Sequence, residues 1–327
     1  MKHLLKHWFL YLLLIVIPAG MVIGQASPGT SSLITTTVKT QWVVFAVLFC
    51  MSVTLSLNKL TQTATRPWGI LTATSINAIL FPLIVWGIVL QLPASPFSAG
   101  LLIMAAVPST LASAAVWTRK AGGNDALSLM VTLISNGLCF LVTPFWLWLM
   151  LGKSAPLDSN ALAIRLMFIA LLPMVLGQIA RFSRPAKQFA DQYRSRISIA
   201  AQIGILSIVF VGAVRSGPEL LGKTSDFTIS SLVIVWLVCL FIHLLFLAIS
   251  WWSALMINCS REDAIGVMFS GSQKTLPIAI DLATAPILLA SGISSLAIIP
   301  PLLYHATQLI VDTLVIEKLE KKPKPAE

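Results

Sequence analysis

Charged residues are scarce in this sequence. Only 10% of its 327 residues are Asp, Glu, Lys or Arg, whereas soluble globular proteins average about 25%. Hydrophobic residues make up 57% of the chain, and the mean hydropathy is +0.89. This composition excludes an ordinary soluble domain and makes the lipid bilayer the expected solvent.

Metal-binding and catalytic motifs are also missing. The four cysteines form no C-x-x-C pair, so neither a disulfide framework nor a zinc site is indicated. No H-E-x-x-H motif occurs, and His243 and His305 each stand alone in an apolar segment. We therefore do not expect an enzyme.

One stretch resembles a phosphate-binding loop but lacks its spacing. A P-loop carries its lysine directly after the second glycine, where the ammonium can reach the phosphates. Here Ser272 and Gln273 separate Gly271 from Lys274. We expect no nucleotide and no organic cofactor.

Ten apolar stretches are each about long enough to cross a bilayer, which takes about 20 residues. They are 8–25, 41–58, 69–93, 98–117, 124–150, 161–181, 197–215, 227–256, 263–289 and 293–316. The short connections leave no room for a soluble domain. The sequence thus predicts an all-α polytopic membrane protein with a single integral membrane domain over residues 1–327.

The basic residues fix the expected orientation, because cytosolic loops are enriched in Lys and Arg. With the N-terminus in the cytosol, most of them lie inside: Lys2, Lys6, Lys59, Arg66, Arg119, Lys120, Arg181, Arg184, Lys187, Arg194, Arg196, Arg261, Lys318, Lys321, Lys322 and Lys324. Only Lys39, Lys153, Arg165, Arg215 and Lys223 lie outside. Both termini are then cytosolic, the expected location is the plasma (inner) membrane, and topology accounts for the net charge of +10 without nucleic acid.

The first 29 residues also have features of a cleavable signal peptide, with a basic start, an apolar centre and small residues near Gly24. Cleavage would leave nine spans and remove the charge symmetry. We therefore expect this segment to be retained as the first span.

Two spans are predicted to be interrupted. Pro108 stands near the middle of span four, beside Ser109 and Thr110. In span nine, Pro277 follows the polar run Gln273-Lys274-Thr275. Proline breaks or kinks a helix, and a broken backbone is tolerated at this depth only where protein or a water-filled cavity surrounds it.

These interruptions occur five spans apart, which indicates two halves of five spans, approximately 1–155 and 156–327. A weak similarity aligns "PSTLA" at 108–112 with "QKTLP" at 273–277. Because each half has an odd number of spans, the second half must be inverted. Paired interruptions in inverted repeats mark the binding site of a secondary transporter.

Lys274 is the most unusual residue, since a cation at the bilayer centre costs at least about 2.5–3.5 kcal/mol. Three hypotheses are open. The lysine is a built-in cation, meaning a covalently attached positive charge in place of a bound ion. Alternatively, it is a proton carrier that loses its proton when desolvated, or the ion-pair partner of Asp281, seven residues along the chain.

Further polar residues lie within the spans. His305, Gln308 and Asp312 are spaced to share one face of span ten. We interpret His305 as an interhelical hydrogen-bond partner, and Asn77 and His243 likewise. Asn136, one turn after Thr132, is promoted to a site candidate. Asn124 and Ser260 are expected helix N-caps.

Three motifs resemble the bile acid:sodium symporter family, and within it the sodium/bile acid cotransporter 7-like branch. They are "PSTLASAAVWTRKAGGNDALSLMVTLISN" at 108–136, "SGSQKTLPIAI" at 270–280 and "IIPPLLYHATQLIVDTLV" at 298–315. The resemblance implies a core of spans three to five and eight to ten, in which spans four and nine cross. Spans one, two, six and seven would form a panel, with substrate bound between panel and core.

The resemblance carries over only part of a sodium site. A Ser-Asn pair of sodium-coupled relatives matches Ser113 and Ala114, and two hydroxyls match Ser128 and Thr132. The glutamine of span nine matches Gln273. A glutamate four residues earlier in the relatives has become Phe269, so at most a weak sodium site is left.

We therefore expect the Lys274 ammonium to take the place of the sodium ion and to donate to Ser113, Ser128, Thr132 and the freed carbonyls of span four. The surplus of positive charge and the half-helix N-termini favour a small organic anion or zwitterion as substrate. Sodium or proton coupling through a residual cation site is one alternative. A membrane regulator of ion homeostasis that transports nothing is another.

Overall fold

The computed structural model describes residues 8–56, 67–152, 157–221 and 229–320. All regular secondary structure in these ranges is helical. The α-helices, numbered in chain order, are α1 Trp8–Ala26, α2 Pro28–Thr37, α3 Thr40–Val53, α4 Pro67–Ser75, α5 Phe81–Gln91, α6 Ser98–Ala106, α7 Ser113–Lys120, α8 Asp125–Gly137, α9 Cys139–Leu151, α10 Ser159–Leu166, α11 Leu172–Ala180, α12 Arg184–Gln192, α13 Arg194–Leu221, α14 Ile229–Met256, α15 Arg261–Ser272, α16 Leu276–Ala283, α17 Pro286–Ala290 and α18 Ile299–Glu320.

A helix or a succession of helices occupies each of the ten predicted stretches, except at positions 57–58 and 227–228, which lie outside the described residues. By length and apolar composition, five continuous helices of the described chain can cross a membrane, or up to seven if each strongly bent pair is one span. The protein is an integral membrane protein, and the count of ten spans stays a prediction.

Part of the predicted charge pattern also falls outside the described residues. This applies to Lys2, Lys6, Lys59, Arg66, Lys153, Lys223, Lys321, Lys322 and Lys324. The start of the N-terminal segment, residues 1–7, is likewise outside them. The orientation of the chain therefore stays a prediction.

Both expected helix N-caps are confirmed. The Asn124 side chain accepts from the backbone N–H groups of Ala126 and Leu127 at the start of α8, and the Ser260 hydroxyl accepts from the Asp263 N–H at the start of α15. The Asn124 amide also donates to the Asp263 carboxylate at 2.8 Å. The two caps thus join the starts of α8 and α15.

The two predicted interruptions are confirmed. The first separates α6 from α7 between Ala106 and Ser113, and the second separates α15 from α16 between Ser272 and Leu276. Proline lies in the first gap and in the first turn of α16, where its missing N–H and fixed φ angle are compatible with the start of a helix. The breaks touch, because the Thr275 N–H donates to the Pro108 carbonyl at 3.0 Å.

A third irregularity faces these breaks. Residues Ile76–Leu80 form a π-helical turn between α4 and α5, and the Phe81 N–H donates to the carbonyl of Ile76, five residues earlier. The next carbonyl in this pattern is that of Asn77, whose partner would be the N–H of residue 82. That residue is proline, so the Asn77 carbonyl is left free.

Helices α1 and α13 approach each other closely at two glycines. A Cβ atom on Gly24 would lie 2.0 Å from the Val214 carbonyl oxygen, and one on Gly217 would lie 2.2 Å from the Met21 carbonyl oxygen. Small residues allow helix backbones to approach in this way in membranes, where close packing replaces the hydrophobic effect between helices.

We predict that Gly24→Ala or Gly217→Ala destabilises the protein, because the added methyl group must push two backbones apart. Overpacking of this kind costs about 1–3 kcal/mol, which should lower the thermal midpoint in detergent by several degrees. Gly87→Ala is the matched control, since a Cβ there meets nothing within 4 Å. Equal midpoints for the three variants would contradict the close approach.

Candidate functional site

The first break exposes a run of backbone carbonyls at the centre of the protein, and each has a specific donor. The Ala106 carbonyl accepts from the Thr143 hydroxyl, and that of Val107 accepts from the Lys274 ammonium. The carbonyls of residues 108, 109 and 110 accept from the Thr275 N–H, the Asn136 amide and the Thr132 hydroxyl. Five consecutive unwound residues are thus satisfied by the side chains and backbone around them, as burial in a membrane requires.

The second break is satisfied in the same way. The carbonyls of Ser270, Gly271 and Gln273 accept from the Asn77 amide, and the Ser270 carbonyl also accepts from the Ser109 hydroxyl. The Ser272 carbonyl accepts from the Tyr304 hydroxyl, and the Lys274 carbonyl accepts from the Gln308 amide. The amide of Asn77 alone reaches three of these carbonyls, at 3.0–3.3 Å. The π-helical turn therefore supports the break of α15 and α16 directly.

The Lys274 ammonium lies where the two breaks and the π-helical turn meet. It donates to the Asn77 carbonyl at 2.7 Å, to the Asn77 side-chain oxygen at 3.3 Å and to the Val107 carbonyl at 2.9 Å. The face of the Phe81 ring lies 4.3 Å away. Lys274 is only 2% exposed, so neutral oxygens and a ring replace its hydration shell.

Gln273 connects the breaks to span ten. Its side-chain oxygen accepts from the hydroxyls of Thr110 (2.7 Å) and Ser113 (2.9 Å), and its amide nitrogen donates to the Asp312 carboxylate at 2.6 Å. The Thr110 hydroxyl oxygen also accepts from the Ala114 N–H at the start of α7. Because the hydroxyls donate to one side of the Gln273 amide and the carboxylate accepts from the other, the orientation of that amide is fixed.

The predicted site residues mostly converge on this crossing. Asn136, which we promoted, donates to the carbonyls of Ser109 and Thr132. Ser128 lies apart from it, because its hydroxyl bonds to Thr118 and to the Gly266 carbonyl.

One expectation about Lys274 is wrong, and one of the three hypotheses about it is excluded. Its ammonium does not contact the hydroxyls of Ser113, Ser128 or Thr132, since each of these bonds elsewhere, and only the expected freed carbonyl is reached, that of Val107. Lys274 also does not pair with Asp281. That carboxylate accepts from Nη2 and Nε of the Arg165 guanidinium, at 2.7 and 2.9 Å.

The polar face of span ten carries two different groups. Gln308 holds the backbone of Lys274, accepting from its N–H and donating to its carbonyl. Asp312 bonds to His243 of α14 at 2.8 Å, which confirms the interhelical role expected for His243. His305 is instead bonded within its own helix, to Gln308 at 2.8 Å.

A cavity of about 280 Å³ lies beside the crossing. It is bordered by the start of α7, the start of α16, the first half of α13 and parts of α1, α3 and α18. The N-cap residues of the two half-helices, Ala112 and Thr275, make no side-chain capping bond, although the Thr110 hydroxyl accepts from the Ala114 N–H of α7. Two buried polar atoms on the lining residues, Trp117 Nε1 and Gln202 Oε1, have no hydrogen-bond partner within the described structure.

Several of these residues escaped the sequence analysis. Asn77 was interpreted as an ordinary interhelical partner, and Arg165 only as a residue of the outer face. A signal for Asn77 was available, since Pro82 stands five residues later, where a π-helical turn leaves one carbonyl free. Trp117 and Gln202 carry no sequence signal that separates them from other residues of amphipathic helices.

The described residues contain no group of three or more His, Cys, Asp or Glu side chains that could hold a metal ion. The oxygens of the expected weak sodium site are hydroxyls that already take part in hydrogen bonds. The site candidates thus form a polar crossing around a lysine, next to a cavity.

Comparisons with known proteins show which family this chain resembles. Residues 7–321 match the family described as the SBF-like CPA transporter family. Sodium/bile acid cotransporter 7 of Xenopus tropicalis is 23% identical over 98% of this chain and 93% of its own. A probable chloroplastic sodium/metabolite cotransporter, BASS4, is 27% identical in Oryza sativa subsp. indica, over 91% of this chain and 73% of its own. The resemblance found in the motifs is confirmed, and these are names of transporters rather than enzymes.

We predict that Lys274→Met lowers the thermal stability of the protein. The change leaves the carbonyls of Asn77 and Val107 buried without a donor, at about 1–3 kcal/mol for each lost partner. Thermal unfolding in detergent measures the effect, with Lys318→Met as the control at an exposed position of α18. If Lys274→Met is as stable as this control, the hydrogen bonds of the ammonium to Asn77 and Val107 do not stabilise the protein.

Proposed function

This chain belongs to the SBF-like CPA transporter family, and on that premise we propose that it is a secondary active transporter of a small organic anion or zwitterion. It works by alternating access, and the Lys274 ammonium takes the place of a bound sodium ion. The observation that carries the proposal is the position of this ammonium, buried among freed oxygens where two interrupted helices touch.

A built-in cation suits this position for an electrostatic reason. The carbonyls of Asn77 and Val107 and the side-chain oxygen of Asn77 are the kind of neutral oxygen ligands that stabilise a sodium ion. The ammonium satisfies them with three directed N–H donors. Because it is covalently attached, its occupancy does not depend on the sodium concentration.

The cavity supports the chemistry of the solute. The N-termini of α7 and α16 direct positive dipole ends towards the cavity, which favour a carboxylate or sulfonate. The unpartnered N–H of Trp117 adds a donor, and the unpartnered oxygen of Gln202 adds an acceptor for a hydroxyl or ammonium group. A volume of about 280 Å³ lies at the small end of ligand sites, which span about 300–1,000 Å³.

Contacts at the other end of α13 support alternating access. Gln202 lines the cavity, whereas Arg215 donates to the Thr284 carbonyl at 2.7 Å, thirteen residues or about 20 Å further along the helix. Near this end Glu219 bonds to Ser294 and Ser295, and Arg165 pairs with Asp281. These contacts close the proposed outer side between panel and core, and the cavity reaches the surface near the exposed Lys120 on the proposed cytosolic side.

Sodium-coupled cotransport is the second candidate, and the names of the relatives favour it. It would require a sodium ion to bind among the hydroxyls of Ser113, Ser128 and Thr132. We also propose, from the charge pattern, that the protein resides in the plasma (inner) membrane with cytosolic termini.

We predict that uptake by the reconstituted protein does not need sodium. Proteoliposomes would be tested with radiolabelled lactate, taurine and taurocholate, in sodium and in choline buffers. Any transported probe should enter at rates within about twofold in the two buffers. A strict sodium requirement would refute the role of Lys274 and leave the second candidate.

The matched variant for this experiment is Lys274→Ala. Removing the side chain empties the space between the oxygens of Asn77 and Val107, so a sodium ion can enter it. We expect the thermal midpoint of this variant to rise with sodium but not with choline, while that of the wild type responds equally to both.

We further predict that Asp281→Asn favours opening of the outer side, because it leaves the Arg165 guanidinium without a carboxylate. Removing one partner of a buried ion pair costs about 3–5 kcal/mol. The readout is maleimide labelling of Ser198→Cys, which lies in the cavity, with Cys50 and Cys259 replaced by serine. Labelling should slow several-fold.

Asp191→Asn is the control, since it removes the carboxylate of an ion pair whose Asp191 side chain is 49% exposed, between Arg181 and Asp191. It should leave the labelling rate unchanged. An equal rate in the Asp281→Asn protein would show that the Arg165–Asp281 pair does not hold the outer side closed.

A further inference from the structure

We propose that His243 and Asp312 together form a proton-binding site, and that the proton held there is the coupling ion. This inference rests on the proposed function, because a transporter with a built-in cation in place of sodium needs another ion to couple to. Both side chains are fully buried between α14 and α18, and they touch at 2.8 Å from His243 Nε2 to Asp312 Oδ1.

The hydrogen bonds around the pair determine how many protons it holds. The Tyr304 hydroxyl lies 2.6 Å from the Ser272 carbonyl, which can only accept, so the tyrosine hydrogen points there. The Tyr304 oxygen is then available to accept from His243 Nδ1, 3.2 Å away, and in the proton-loaded state we assign a hydrogen to Nδ1. A neutral histidine protonated on Nδ1 has a bare Nε2.

A bare Nε2 facing a carboxylate oxygen at 2.8 Å would bring two lone pairs together. One additional proton must therefore lie between them, as an imidazolium with a carboxylate or as a neutral imidazole with a carboxylic acid. In both forms the pair is neutral, and it holds one proton more than a neutral histidine beside an ionised aspartate. The other carboxylate oxygen accepts from Gln273.

Loss of this proton has a structural consequence at the second break. The remaining histidine hydrogen moves to Nε2, where it donates to Asp312, and Nδ1 becomes an acceptor. The Tyr304 hydroxyl must then turn its hydrogen from the Ser272 carbonyl to Nδ1. Ser272 is the last residue of α15, so the protonation of the pair is linked to the hydrogen bonding of the broken helix.

The pair also communicates with the cavity. Gln273 joins Asp312 to the hydroxyls of Thr110 and Ser113, and both of these residues line the cavity. Once the proton leaves, the pair carries a net negative charge beside the Gln273 amide that donates to Asp312, which strengthens that hydrogen bond. Proton release into water therefore alters the same residues that border the solute.

Among the residues that the structure describes, Tyr304 is the one further ionisable group that bonds to the pair. Of the titratable side chains on the described helices packed around it, only Tyr304 bonds to it, and Lys274 extends instead towards Asn77 and Val107. The remaining ones in these helices lie elsewhere: Tyr11 on α1, Arg119 and Lys120 in the last turn of α7, Cys239 against the Pro300 carbonyl, Arg261, Glu262 and Asp263 in the first turn of α15, Asp281 on Arg165, His305 on Gln308, and Glu317 and Lys318 near the end of α18.

The test measures proton binding without any solute. Proteoliposomes adsorbed on a solid-supported membrane receive pH jumps in sodium-free choline buffer, and the transient current reports charge entering the protein. The wild type should give a saturable displaced charge. Asp312→Asn should reduce it at least fivefold, because the new amide can donate to His243 Nε2 and accept from Gln273 while binding no proton. An unchanged current in this variant would overturn the proposal.

Three companion variants make the result specific. Asp191→Asn, at a surface ion pair, should behave as the wild type. His243→Gln should lose the current as Asp312→Asn does. If Lys274→Met abolishes the current while Asp312→Asn retains it, the lysine is the proton carrier and the proposal fails. Size-exclusion profiles and thermal midpoints confirm that each variant is folded.

The same vesicles separate this proposal from the proposed function. If the displaced charge depends on Asp312 but lactate, taurine and taurocholate do not enter under a proton gradient, the result supports the proton site. It then counts against transport of these solutes. If a probe is taken up, and its uptake depends on the proton gradient equally in the wild type and in Asp312→Asn, the result supports the transporter and overturns the proton site.

Discussion

The structure depends on one constraint, which is that unwound backbone inside a membrane must find its hydrogen-bond partners within the protein. Two helices are interrupted at the same depth, and ten carbonyls, of residues 106–110 and 270–274, lose helical partners near there. Each has a donor: hydroxyls, amides, one backbone N–H and one ammonium. The crossing is therefore stable only as a unit, which explains why its polar side chains come from so many different helices.

A lysine among these donors serves two purposes. It satisfies carbonyls as the amides do, and in the proposed function it also brings a positive charge to the place where the two breaks meet. A membrane-embedded charge is expensive, so its retention in a position that a neutral donor could fill indicates a function. The buried histidine–aspartate pair, held by the residue next to this lysine in the chain, places a titratable group one hydrogen bond from the same break.

Local features could be predicted from the sequence and long-range contacts could not. The breaks at Pro108 and Gln273–Thr275 and the cap at Asn124 follow from residues that act on their own backbone. The partners of Lys274 depend on which helices pack together, so Asn77 was undervalued. The hypothesis that Lys274 pairs with Asp281 assumes helical spacing across a break, and Arg165, 116 residues away in sequence, is identified as the partner of Asp281 only by the structure.

The π-helical turn between α4 and α5 has a consequence for the length of the chain at that point. Such a turn contains one more residue than the α-helix it interrupts, so removing any one residue from 76–80 would let the segment rewind as a regular helix. Every side chain on one flank would then rotate by about 100° relative to the other. With any one of residues 78–80 removed, Pro82 would still deny the Asn77 carbonyl a helical donor. Asn77 would nevertheless rotate relative to Phe81, and the pocket for an ammonium would disappear without the loss of a single polar side chain.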